Sequence, residues 1–239
     1  MVPQRAAVVI IGGGVIGSSI AYYLTKKGCR DVVVLERHFL GSGSTSKAAG
    51  GIRQQFSTEV NVRLSQVSVQ VFERFEQEFD RPADFRQEGY LFLLTQLDQV
   101  AQFRRNVAMQ QRLGVDVRWL TPAQAGTLVP QLFLDDVLAA TYCPTDGVAD
   151  PYQVTQGFAR RAAEQGARFL EFTEATGLLV RLGRVQGVRT TRGDITADTV
   201  VIAAGPWSAE VGRMAGVDLP ILPYQQHVFV TALFADLPA

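Results

Sequence analysis

Val8-Val9-Ile10-Ile11-Gly12-Gly13-Gly14-Val15-Ile16-Gly17, followed by Asp31-Val32-Val33-Val34-Leu35-Glu36-Arg37, decides the fold of this chain. An apolar strand runs into Gly12-x-Gly14-x-x-Gly17, a helix to about Lys27 follows, and a second apolar strand ends in an acid about 20 residues on. That order is a dinucleotide fingerprint. Gly12 permits the tight turn, Gly14 lets the backbone approach a pyrophosphate beside the helix N-terminus, and Gly17 lets helix and strand pack closely. Glu36 would accept the ribose hydroxyls. An ordinary Gly-rich strand-to-helix turn is the alternative, and strand, helix and distal acid in register argue against it.

The 239 residues suffice for one or two domains with a substantial core. The 23 basic and 23 acidic side chains balance, which argues against a nucleic-acid surface, and no basic run suggests membrane binding. A single Arg before the first apolar stretch imitates a signal peptide, but the triple glycine and absent A-x-A site fit a buried strand better. No run approaches the roughly 20 apolar residues of a transmembrane span. Cys29 and Cys143 give neither a disulfide framework nor metal spacing. The expectation is a cytoplasmic, reducing setting and no metal.

Outward from the fingerprint, Leu40 to Arg53 is small and polar and reads as a loop with a short helix. Val60, Leu64, Val67, Val71, Phe75 and Phe79 recur every three or four residues, predicting a long helix with those residues in the core. Phe85 to Thr95 reads as a hairpin around Glu88-Gly89, and a polar helix follows from Leu97 to Leu113. Thr121-Pro122 and Asp150-Pro151 are helix starts with proline at the first position. Strands are expected at 138–143, 168–171, 175–181, 184–190, 194–197, 199–204 and 221–234. The order implies an α/β, doubly wound domain in which strands before residue 40 and after residue 165 share one parallel sheet. Residues 84–143 would form a mixed β layer elsewhere.

Ser44-Thr45-Ser46 offers hydroxyls and amides beside a helix N-terminus, a second phosphate element that favours FAD over NAD. A Ser/Gly linker is the alternative there. Ala203-Ala204-Gly205 ends a strand at the edge where ligands of α/β sheets bind, although a tight strand-to-helix turn reads the same way.

With these segments the chain resembles the D-amino-acid oxidase-like FAD oxidoreductases, within them the sarcosine oxidase β-subunit and dye-linked L-proline dehydrogenase β-subunit group. The likeness rests on Gly12 to Gly17 with Glu36-Arg37, on Gly43-Ser44-Thr45-Ser46 through Gly50-Gly51-Ile52-Arg53-Gln54-Gln55-Phe56, and on Gly89 to Leu93. Pro144 to Pro151 and Ala203 to Trp207 extend it over the whole chain. The resemblance implies an FAD-binding Rossmann-like domain (1–83 and 144–216) with an interleaved α+β substrate domain (84–143 and 217–239). It also implies bound FAD and oxidation of the C–N bond of a secondary or tertiary amine or amino acid, sarcosine- or proline-like, by hydride transfer to flavin N5.

Carried over residue by residue, the resemblance makes Gly12, Gly14, Val15, Ile16 and Gly17 the pyrophosphate turn, and Glu36 with Arg37 the ribose end. Ser44, Thr45 and Ser46 become pyrophosphate and ribityl contacts, and Ala49, Gly50 and Gly51 the stretch beside the isoalloxazine. Ala175 becomes the adenine contact, and Ala203, Gly205 and Trp207 the second cofactor edge. Arg53 becomes the grip on a substrate carboxylate, suited to it by a planar fork of donors. An arginine paired with a neighbouring acid is the alternative. Gln226 and His227 fall where the family has a polar residue on the substrate side, and on a strand only one of them can face it. An ordinary exposed or satisfied histidine is the other reading of His227.

Relatives in the family continue past Ala239 through the rest of the substrate sheet and a Gly-rich segment that covers the flavin. The C-terminal part is therefore expected to be missing, and the chain alone to keep part of the FAD site with weak or no amine oxidation. Partner subunits of a hetero-oligomeric dehydrogenase are implied; nucleic acid and membrane insertion are not. Two further readings remain at this point. A non-catalytic flavin-binding or assembly protein is one, since the Gly50 to Phe56 motif also resembles the mitochondrial complex I assembly oxidoreductase; an NAD-dependent dehydrogenase is the other.

Overall fold

A computed structural model describes residues 2–229. In chain order they form β1 (Arg5–Ile11), α1 (Val15–Lys26), β2 (Val32–Leu35), β3 (Gly51–Ile52), α2 (Glu59–Glu73), α3 (Phe75–Phe79) and β4 (Tyr90–Leu94). Next come α4 (Leu97–Arg112), β5 (Arg118–Leu120), α5 (Pro122–Leu128), β6 (Ala139–Cys143), β7 (Gly147–Val148) and α6 (Pro151–Glu164). The last are β8 (Arg168–Leu170), β9 (Ala175–Arg181), β10 (Arg184–Thr190), β11 (Gly193–Ile202), a 3-10 turn at Gly205–Trp207 and α7 (Ser208–Arg213). These elements gather into two compact units. Of the described residues, the first holds those up to Ala48, Glu76–Ala83 and Asp150–Gln226; the second holds Ala49–Phe75, Asp84–Ala149 and residues 227–229.

The first unit is built on one sheet in the order β8-β2-β1-β11-β10-β9. The neighbours β8, β2, β1 and β11 are parallel, whereas β10 and β9 run antiparallel as a hairpin edge. The expected all-parallel sheet therefore holds only for the first four. The turn at Gly183, with φ +73°, is too short for a crossover and can only reverse the chain. The two pieces expected at 194–197 and 199–204 are one strand, β11, pairing with β10 near its start and with β1 from Thr196 to Ile202. All of β2 is buried, as a parallel strand between two neighbours must be. On one side Val9, Ile11, Val33, Leu35, Val188 and Ile195 form a core cluster. Elsewhere in this unit the rings of Tyr22 on α1 and Phe158 on α6 close on Phe79 at 4.9 and 4.8 Å. Over residues 40–47 the chain makes turns, and the short helix expected there does not form.

The second unit holds an antiparallel sheet, β4-β6-β5, and a two-stranded ribbon, β3-β7. The expected Phe85 to Thr95 hairpin is absent. Arg86 makes a single bridge to Val148 and β4 pairs with β6 instead, because Gly89 turns the chain at φ +86° with the Tyr142 ring where its Cβ would stand. Helix α2 also departs from expectation. Val60, Leu64 and Val67 are 61%, 62% and 61% exposed, while Val62, Ser65 and Val69 turn inward. Apolar residues at 60, 62, 64, 67 and 69 supply two helical stripes, and periodicity alone does not choose between them. The chosen stripe sets Val62 among Val107, Met109, Val115 and Val117, and Ser65 enters the core by donating its hydroxyl to the Val62 carbonyl at 2.8 Å.

Residues 221–229 carry no regular secondary structure, so the strand expected from Ile221 is not formed there. Its remaining residues, 230–234, lie outside the described residues. No helix among the described residues is long and apolar enough to cross a membrane.

Candidate functional site

The sheet order brings the first and last predicted cofactor segments of the first unit to one point. From β1 the chain proceeds to β2 and β8 on one side, while β11 returns on the other, so a crevice opens beyond the C-terminal ends of β1 and β11. Ala203 N donates to Ile11 O at 2.8 Å there, and Gly12 N donates to Leu35 O at 2.8 Å. Gly12 has φ +113°, and a Cβ on it would run into the Ala203 carbonyl; one on Gly17 would run into the Gly12 carbonyl. Both glycines are therefore required by close backbone approach rather than by looseness.

Helix α1 starts at Gly14 without a side-chain cap and with no acid in its first turn. Its positive end is thus left for an anion. Thr45 Oγ1 accepts from Val15 N at 3.2 Å, and a Cβ on Gly14 would lie 2.9 Å from that oxygen. Glu36 Oε2 accepts from Gly13 N at 2.9 Å and Oε1 from His38 N at 2.9 Å, which fixes the carboxylate after β2 with lone pairs to spare. A glycine gap, an uncapped helix end and a backbone-fixed acid together fit the pyrophosphate and ribose of FAD.

The other predicted residues of this unit surround that gap. Ser44 and Ser46 are exposed, and Ser46 N donates to Gly41 O at 3.0 Å, which folds the turn. Ile16 is 61% exposed, an uncommon state for isoleucine in a first helical turn. The Arg37 guanidinium lies 4.0 Å from the centre of the Trp207 ring, and Gly43 approaches the same ring. Thr173 N donates to Glu36 O at 2.8 Å, so the segment leading to Ala175 passes the acid. Ala203 and Gly205 follow β11 directly.

In the second unit Gly50 has φ +76° and its carbonyl accepts from Ala149 N at 2.9 Å, while Gly51 pairs with Val148 on the β3-β7 ribbon. Ala49 and Gly51 are exposed. Arg53 follows β3 immediately. Its guanidinium carbon lies 4.7, 5.2 and 5.9 Å from the ring centres of Phe56, Phe92 and Tyr90. Its Nε is buried and makes no hydrogen bond. Among the described residues no ion pair includes Arg53. A cleft of ≈ 400 Å³ lies against it, with Ile52, Phe56, Leu64, Ser65 and Phe72 in its walls.

The two residues after Arg53 enter a buried polar network that sequence reasoning did not assign to the site. Asp146 is fully buried; its Oδ1 accepts from Gln54 N at 2.8 Å and Gln54 Nε2 at 3.2 Å, and its Oδ2 from Gln55 Nε2 at 3.3 Å. Burial pushes the Asp146 carboxyl up from its ordinary value, and the donors from Gln54 and Gln55 oppose that rise. Gln55 Nε2 also donates to Tyr90 O at 2.9 Å, and Thr141 Oγ1 donates to Gln55 Oε1 at 2.7 Å. Nearby, burial raises the Cys143 thiol to about 11, so it stays protonated. The signal for this network was a Gln-Gln pair after the arginine; Asp146-Gly147 read only as a turn. Gln226 and His227 are exposed in irregular chain, without the strand alternation that was to aim one of them. The His227 ring stacks at 6.2 Å on Phe229.

Comparison with known proteins bears on the family of the chain. The family model described as DAO, FAD dependent oxidoreductase, matches residues 7–238. The mitochondrial dimethylglycine dehydrogenase of Rattus norvegicus is 36% identical over 99% of this chain and 28% of its own length. Sarcosine oxidase subunit beta of Arthrobacter sp is 35% identical over 95% of this chain and 58% of its own. The crystal structure of L-proline dehydrogenase from P.horikoshii superposes with a TM-score of 0.83 at 42% identity, covering 90% of this chain and 57% of that one. The chain thus spans between about a quarter and three fifths of the length of these relatives. A glycine crevice at the sheet's switch point, an acid after β2 and a match over nearly every residue lead to one statement: the chain belongs to the DAO family of FAD-dependent oxidoreductases.

Proposed function

We propose that this chain holds FAD and grips the carboxylate of an N-methylated or cyclic amino acid whose C–N bond is oxidised. The observation that carries the substrate class is Arg53. A guanidinium partly out of water, flanked by Phe56, Phe92 and Tyr90 and lacking a counter-charge among the described residues, is a standing site for a carboxylate. The names of the relatives, a dimethylglycine dehydrogenase, a sarcosine oxidase subunit and a proline dehydrogenase, support the same class of small amino acid carrying a secondary or tertiary amine.

In this reading the turn from Gly12 to Gly17 and Thr45 receive the pyrophosphate, and Glu36 accepts the ribose hydroxyls. Ser44 and Ser46 reach the ribityl side, Ala175 the adenine, and Ala203, Gly205 and Trp207 close the opposite edge. Ala49, Gly50 and Gly51 run beside the ring system. FAD, when bound, would supply the acceptor for the hydride leaving a carbon bonded to the amine nitrogen. The protein's share is orientation: Arg53 fixes the carboxylate and thereby the direction of the C–H bond. No side-chain nucleophile is needed, and Gln226 and His227 have no part in the proposal. The subunit status of the Arthrobacter relative supports a partner chain.

The test is anaerobic addition of sarcosine, dimethylglycine and proline to the FAD-loaded chain while the flavin absorbance is followed. Bleaching by at least one of them, and none by dimethylamine, is expected. A flavin that stays oxidised with all three amino acids overturns the proposal.

A further inference from the structure

We propose that Asp146 is the positioning residue of the Arg53 site: its buried carboxylate, acting through Gln54 and Gln55, keeps the guanidinium within its ring of aromatics and free of a counter-charge. The inference rests on the reading of Arg53 as a carboxylate grip. Its physical basis is the donor count. Every group the structure aims at Asp146 from Gln54 and Gln55 is an N–H, on both carboxylate oxygens. An ionised carboxylate meets these donors with lone pairs alone, whereas a protonated one has to turn its own O–H away from them.

An asparagine there would turn its amide donor toward Gln54 or toward Gln55. Gln55 cannot answer by flipping its own amide, because its Nε2 is held by the Tyr90 carbonyl and its Oε1 by the Thr141 hydroxyl. Those two bonds tie Gln55 to β4 and β6. Strand β4 also carries Tyr90 and Phe92, two of the rings around Arg53. One buried carboxylate therefore sets the chain just after Arg53 relative to the strand that holds its aromatic partners. Ionised and bonded to neutral amides, Asp146 leaves the Arg53 donors to an incoming carboxylate. A direct Asp–Arg pair would consume them.

The test uses the FAD-loaded 239-residue chain. Acetate is titrated and its dissociation constant read by ligand-observed NMR. In parallel the Arg53 Nε–H resonance is followed, identified as the one lost in Arg53→Met. In Asp146→Asn, acetate affinity is expected to fall on the order of tenfold, the scale of one hydrogen bond to a charged group. The Arg53 resonance should move from its ring-shifted position while flavin retention stays put. A folded Asp146→Asn with unchanged acetate affinity and an unmoved resonance overturns the proposal. Should Asp146→Asn fail to fold, Gln55→Met is measured in the same two ways. Weaker acetate binding with a displaced resonance then supports the role of Asp146, and no change in either overturns it. If Arg53→Met itself binds acetate like the parent chain, the carboxylate grip is wrong, and that failure is separate from failure at Asp146.

Discussion

The glycine crevice of the first unit and the arginine cage of the second are made by opposite means. In the crevice, recognition comes from what is left out: Gly12, Gly14 and Gly17 remove side chains so that backbone amides and carbonyls can approach. In the cage, the proposed grip comes from what is put in, three rings around one guanidinium and a buried carboxylate bonded to the two residues that follow it. The glycines of the first lie within six residues of one another. The second depends on pairs such as Gln54 and Asp146, 92 residues apart. A site of absences is intolerant of any added atom, whereas a site of contacts degrades by degrees.

Gly12→Ala tests the intolerant side and should have the largest effect. The added methyl meets the Ala203 carbonyl at a backbone angle that disfavours every L side chain. A loss of about 2–5 kcal/mol of stability is expected from strain plus overpacking, with flavin lost on desalting. A yellow variant melting like the parent would break the comparison. Arg53→Ala tests the graded side. About 2 kcal/mol of carboxylate affinity should go, roughly thirtyfold in a titration with acetate. Flavin retention should be unchanged, and its loss would show the two sites to be inseparable.

Trp207→Ala sharpens the contrast within the crevice itself, since this is a contact among absences. Removing the ring from under Arg37 should weaken FAD by about 0.5–1 kcal/mol, a few-fold rise in dissociation constant by fluorescence titration. A hundredfold loss would make Trp207 an anchor. The smallest effect is expected at Val67→Ser on the outer face of α2, within about 0.5 kcal/mol of the parent in chemical denaturation. A drop beyond about 2 kcal/mol would restore Val67 to the core, where helical spacing alone had put it.

The same contrast explains what could be read in advance. Gly12 to Gly17 and Glu36 were legible because a fingerprint is local and its geometry tolerates few residue types. Thr121 and Asp150 were legible as caps for the same reason, and the structure has both accepting from backbone amides. The inward face of α2 was not, because two apolar stripes share that helix and only the partner cluster around Val107 and Val117 selects one. Asp146 was hidden behind its own local signal: an Asp-Gly pair announces a turn and says nothing of burial. The antiparallel edge formed by β9 and β10 was missed by carrying the parallel rule past a glycine turn. At Arg53 the residue type and its motif were enough to suggest a role. That no acid among the described residues pairs with it was visible only once the chain was folded.

The two thiols of the chain have sharply different reactivity. Cys143, buried and held protonated, will not meet an alkylating dye at neutral pH. Cys29 is partly exposed in the turn beyond the far end of α1. A maleimide fluorophore should therefore label the native protein at one position. The 12-residue helix sets that position about 18 Å, by helical rise, from the glycine end where the pyrophosphate is proposed to lie. Flavin emission and such a dye would make an optical ruler, able to time cofactor arrival and departure in single molecules without altering either site.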